Sequence, residues 1–104
     1  VARELRIQSR ARSDIVELAV FIGRHSANAA DRFLDATDET FASLAEQPFL
    51  GAEYPTKNPR LNGIRVIRAR GFPNQLAFYF VRSDEVEIVR VLHGARDLDA
   101  ALDQ

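Results

Sequence analysis

The chain has 104 residues, 46% of them hydrophobic and 28% charged, a composition that fits one globular domain and excludes a disordered segment. The formal net charge is −1, without the basic excess that proteins living on nucleic-acid phosphates carry. Cysteine is absent and histidine occurs only as His25 and His93, so disulfides and thiolate or histidine-rich metal sites are excluded, and a reducing, cytoplasmic setting fits.

No apolar run approaches the roughly 20 residues of a membrane span. Val1-Ala2-Arg3-Glu4-Leu5 has no apolar h-region, so no secretory signal is expected. Leu5-Arg6-Ile7-Gln8 alternates apolar and polar residues and predicts a short first strand. Ser9 reads as the N-cap of a helix over about residues 10–24, whose stripe is Ala11, Ile15, Leu18, Ala19 and Ile22. Gly23 and the polar Arg24-His25-Ser26 end it. A second helix starts after Ser26 or Asn28, with Ala30, Phe33, Leu34, Thr37, Phe41 and Leu44 on one face and Asp31, Asp35, Asp38 and Glu39 on the other. Pro48 closes it, and the short connection predicts an antiparallel helical hairpin.

Residues 48–63, PFLGAEYPTKNPRLNG, have no periodicity and read as a long loop. Three strand-like runs follow, over 64–70, 76–81 and 86–92, separated by Gly71-Phe72-Pro73-Asn74 and Ser83-Asp84-Glu85. The middle run is apolar on both faces and belongs at the centre of a sheet. Such short turns demand antiparallel neighbours. Asp97 to Leu102 adds a terminal helical turn. The expected fold is α+β in the order β-α-α-β-β-β, a helical hairpin packed on one face of a mostly antiparallel sheet.

Four segments carry a resemblance to a known family: ARSDIVELAVFI, ANAADRFLDATDETFASLAEQPFLG, LNGIRVIRA and the terminal VRVLHGARD. In order and spacing the chain resembles the RelE/ParE superfamily of type II toxins, and more closely its ParE branch, over nearly its whole length as one domain, 1–104. The resemblance implies a toxin neutralised by a ParD-like antitoxin that wraps around it, with DNA gyrase as the target and blocked replication as the outcome. RelE-like relatives instead cut mRNA in the ribosomal A site, and an inactive relative would survive as an antitoxin-binding co-repressor module. No cofactor, no membrane and no sequence-specific nucleic-acid binding by the chain alone are expected.

The residues arbitrate between these. Metal-independent RNA cleavage needs an acid and a base, and cations for the developing phosphorane charge. The candidates are His93, Arg68 and Arg90, and period-2 spacing scatters them: Arg68 and Arg70 share a strand face that Arg65 does not, and Arg90 and Leu92 share one that His93 does not. Read structurally, His93 beside Gly94 fixes a turn by bonding a backbone carbonyl. Asp97 then pairs with Arg96, Arg90 or the imidazole, or caps the last helical turn, and together they anchor the tail. Arg68, Arg70 and Arg96 are the candidate target contacts; on an edge strand, Arg68 and Arg70 also discourage sheet-to-sheet pairing. Val16, Val20 and Phe21 fall off the core stripe of the first helix. Left exposed, they would form an apolar patch for an amphipathic antitoxin helix, and an open strand edge would add an antitoxin strand.

Overall fold

The computed structural model describes residues 2–103. Strand β1 (Glu4–Ile7) leads into helix α1 (Ser9–Gly23), which a tight turn joins to helix α2 (Ala27–Glu46). Strands β2 (Ala52–Glu53), β3 (Arg65–Ala69), β4 (Phe72–Val81) and β5 (Glu85–His93) follow, and helix α3 (Leu98–Leu102) ends the chain. One sheet has the order β1-β5-β4-β3-β2, with β1 parallel to β5 and all other pairs antiparallel. The α+β fold is the one expected, with a hairpin of helices on a mostly antiparallel sheet.

Local chemistry explains most boundaries. Ser26 caps α2 by accepting from the Ala29 amide at 3.1 Å. The N-cap of α1 is Gln8, not Ser9: Ser9 is already helical and no side chain caps this end. Gly71, at φ +79°, takes the left-handed position of a tight turn at Arg70–Gly71. That lets β4 begin at Phe72 rather than at residue 76, and the register slips between Arg68 and Ala69. Pro73, which lacks an amide to donate, falls in this irregular stretch.

The 48–63 segment is less loose than a structureless loop. It holds 3₁₀ turns at Pro48–Leu50 and Pro59–Leu61, and β2 between them pairs with β3. Gly51 lies so close to Tyr79 Oη and the Val66 carbonyl that a Cβ there would sit 2.6 Å from each. The Tyr79 hydroxyl donates to the Pro48 carbonyl at 2.8 Å and accepts from the Gly51 amide at 2.9 Å.

The sheet is covered on both sides. On one side, Ala11 of α1 and Phe41 and Leu44 of α2 pack against Ala77, Tyr79, Val86, Ile88 and Val91 of the sheet. On the opposite face, Ile64, Phe78, Phe80 and Leu92 pack against Ala101 and Leu102 of α3, with Tyr54 and Leu61 from the long segment. The terminal helix therefore crosses to the face the hairpin leaves open. Leu34, assigned to the core face of α2, is 39% exposed; Ala36 and Thr40 are buried instead. Among the described residues no helix is long and apolar enough to cross a membrane.

Candidate functional site

Helix α1 buries only Ala11 and Asp14, with Ile15 and Leu18 partly covered against the sheet. Its outer side carries Val16, Val20 and Phe21, exposed by 62%, 55% and 52%. Phe21 meets the His25 ring edge-on at 6.1 Å between centroids. A row of three large apolar side chains left in water on one helix is the surface that partner helices occupy.

Asp14 is buried for a reason its sequence does not announce. Beyond Ile7, β1 no longer pairs with β5, so the Val91 amide would lack an acceptor; Asp14 Oδ2 takes it at 3.0 Å. The same carboxylate receives Arg90 Nε at 2.7 Å and Nη2 at 3.1 Å, and Arg90 Nη1 donates to the Ala101 carbonyl at 2.7 Å. One guanidinium thus ties α1, β5 and α3 together. This corrects Arg90 as a candidate for stabilising a phosphorane, because it is buried and each of its three nitrogens is bonded inside the protein.

The tail from His93 is built from local bonds. His93 Nδ1 accepts from the Ala95 amide at 3.0 Å, so the ring acts as acceptor rather than as donor to a carbonyl, and its proton belongs on Nε2. Asp97 caps α3 by accepting from the Ala100 amide at 3.2 Å. Among the described residues no hydrogen bond or ion pair joins Asp97 to Arg96, Arg90 or the imidazole. Arg96 is exposed, and it borders with His93, Glu17 and Leu18 a small depression between α1 and the end of β5.

Arg68 and His93 are kept apart by the sheet. Arg68 opposes Leu76, which opposes Leu92, so these three share the face that α3 covers. His93 opposes Gln75 and points to the other face, toward α1. Arg68 Nε donates to the Pro73 carbonyl at 3.2 Å, and the Arg70 amide donates to Thr40 Oγ1 at 3.2 Å. Arg68 and Arg70 nevertheless border one depression, with Thr40, Ser43, Leu50 and Ile67. Because β2 covers only Arg65 and Val66, the outer edge of β3 from Ile67 onward has no strand beside it among the described residues.

Three features escape the sequence. Phe49 and Leu50 stand 62% and 53% exposed on the first 3₁₀ turn. Glu87 is buried at the β1–β5 junction. Desolvation alone would raise its pKa, but hydrogen bonds from Arg82 and Gln8 and the charges of Arg82 and Arg6 outweigh it and hold the carboxyl below its usual range. Tyr54 stacks edge-on against Phe78 and donates to Asp99 Oδ1 at 2.7 Å, clasping the long segment to α3. Burial, then that hydrogen bond, then the charges of Asp99 and Asp97 push the phenol up to about 12.

The family model described as "ParE toxin of type II toxin-antitoxin system, parDE" matches residues 5–98. No curated protein sequence matches the chain. Among solved structures, the chromosomal ParDE system of P. aeruginosa is similar at TM-score 0.69 and 18% identity, over 88% of this chain and 96% of that one. The RelBE2 toxin–antitoxin complex of Mycobacterium tuberculosis gives TM-score 0.63 and 19% identity, over 92% and 95%. The E. coli DinJ–YafQ toxin–antitoxin complex gives 0.60 and 16%, over 91% and 96%. At these identities the structures report a shared fold.

Proposed function

Since this chain belongs to the ParE toxin family of type II toxin–antitoxin systems, we propose that it arrests growth by binding DNA gyrase and is held inactive by a ParD-like antitoxin. The observation that carries the binding reading is the dispersal of His93, Arg68 and Arg90. Arg90 is locked to Asp14, and His93 and Arg68 occupy opposite faces of the sheet. General acid–base cleavage needs its groups within hydrogen-bond reach of one phosphate, and these three have no common point. The net charge of −1 also gives no electrostatic pull toward ribosomal RNA.

The antitoxin reading is supported by the exposed α1 row. An amphipathic helix laid along Val16, Val20 and Phe21 would bury apolar surface now in water, and a following strand would pair with the free edge of β3. Arg68, Arg70 and Arg96 then remain as polar contacts for target or antitoxin.

Controlled expression without antitoxin tests the function, with mRNA 5′ ends and plasmid topology read in parallel. Relaxed or broken plasmid with intact mRNA is the expected result. Cuts within translated codons would overturn it in favour of a RelE-type endonuclease, and unimpeded growth would leave an antitoxin-binding co-repressor module.

A further inference from the structure

We propose that Phe49 and Leu50 form a preformed knob that this toxin inserts into an apolar, carboxylate-rimmed pocket of its target protein. The proposal rests on the toxin reading above and names the target-contact surface within it.

Phe49 and Leu50 are consecutive on a short turn and both more than half exposed, so together they present apolar surface that a partner could cover. A mobile turn would let them fold back onto the protein; this turn is held. The Tyr79 hydroxyl, on a fully buried ring, bonds both Pro48 and Gly51 on either side of the pair. Arg65 Nε donates to the Gly51 carbonyl at 3.0 Å and its Nη2 reaches the Phe49 carbonyl at 3.4 Å. The main chain is thus fixed before any partner arrives, which is how anchor residues avoid an ordering cost on binding.

The surroundings select the partner's chemistry. The Arg65 and Arg3 guanidinium carbons lie 5.2 and 6.0 Å from the Phe49 ring centre. Arg68 and Arg70 continue the basic surface past Leu50. The acids nearest in the chain are Glu46 and Glu53, and Glu53 is already engaged by Arg65 at 3.7 Å. A chain of net charge −1 therefore gathers cations around its most exposed phenylalanine ring, which favours a socket edged with carboxylates. A nucleobase is a poorer fit, because guanidinium groups already lie over the ring that it would stack on.

The knob is also distinct from the α1 row. Phe21 lies near the start of α2 and Phe49 just beyond its end, and a 20-residue helix separates those ends by about 30 Å. The α1 row is a flat helical face suited to another helix. The knob is convex and suited to a pocket in a folded protein.

The test is expression of wild type, Phe49→Ala/Leu50→Ala and Arg3→Glu in an antitoxin-free host, with soluble level and melting temperature measured on each purified chain. Wild type should arrest growth. The double variant should need about tenfold more inducer or fail to arrest, and Arg3→Glu should fall between, with melting temperatures close to wild type. Arrest by a stably folded double variant at the wild-type inducer level would overturn the proposal and leave the toxin reading intact. A wild type that does not arrest growth overturns the toxin reading and the knob with it. A single-stranded oligonucleotide that binds wild type and is released by Phe49→Ala would also overturn it.

Discussion

Asp14 and Arg90 show how a buried charged pair is accommodated when each of its nitrogen and oxygen atoms has a hydrogen-bond partner. The carboxylate accepts three hydrogen bonds, two of them from the guanidinium, which donates a further one to the Ala101 carbonyl. Removing one partner strands the other in a dry site, at a cost of about 3–5 kcal/mol. In urea denaturation Asp14→Ala is therefore expected to lose a large part of the folding free energy. Asp14→Leu/Arg90→Met should recover part of that loss, although the Val91 amide stays unpaired in it. An Asp14→Ala chain as stable as wild type would contradict the account. The signal for this pair was present in the sequence: Asp14 falls at helical spacing between Ala11 and Leu18, and Arg90 interrupts an apolar strand. Each alone reads as a solvated charge, and only the sheet topology shows that they face each other. The exposure of Val16, Val20 and Phe21 was easier to anticipate, because a two-helix hairpin covers each helix on one side.

At the level of elements, β1 is held at the sheet edge by a mixed polar cluster as well as by its ladder. Gln8 Nε2 donates to Glu87, Arg82 Nη2 bonds the same carboxylate at 2.9 Å, and Arg6 lies 3.9 Å away. A carboxyl whose folded-state pKa is depressed contributes stability that is full above its unfolded value, near 4.3, and is lost as pH falls through the folded value. Glu87→Gln is expected to cost about 1 kcal/mol at pH 7, the range of a hydrogen bond to a charged group in a partly screened setting. The gap to wild type should close as the pH drops below 4, measured by denaturant midpoints across pH. A gap that is constant with pH would mean the cluster acts by shape alone. Both long helices, β3 and β5 were legible to within a few residues, because their apolar periods are regular. The start of β4 was not: Phe-Pro-Asn carries the marks of a turn, and only the positive φ of Gly71 moves the turn two residues earlier. The parallel pairing of β1 with β5 joins the two ends of the chain, and no local pattern encodes it.

On the scale of the whole molecule, the sheet acts as a partition. The hairpin covers one face, the 54–61 segment and α3 the other, and the candidate chemistry is divided between them. His93 faces α1, Arg68 lies on the α3 side, and Arg90 is consumed in holding the layers together. The sequence showed a thin basic cluster, and the fold shows why it does not gather. The family was readable from four short segments whose order matters more than any one of them. The exposed turn at Phe49 and Leu50 was not, since apolar residues in a proline-rich loop look the same whether they pack inward or outward.

Inhibition by binding can be read on purified components. The most direct measurement adds the purified chain, at rising concentration, to purified DNA gyrase and relaxed plasmid with ATP, and follows supercoiling. Loss of supercoiling that persists in a His93→Gln variant is the expected result. Full supercoiling at saturating chain, with the same preparation cutting ribosome-bound mRNA and losing that activity in the variant, would contradict it.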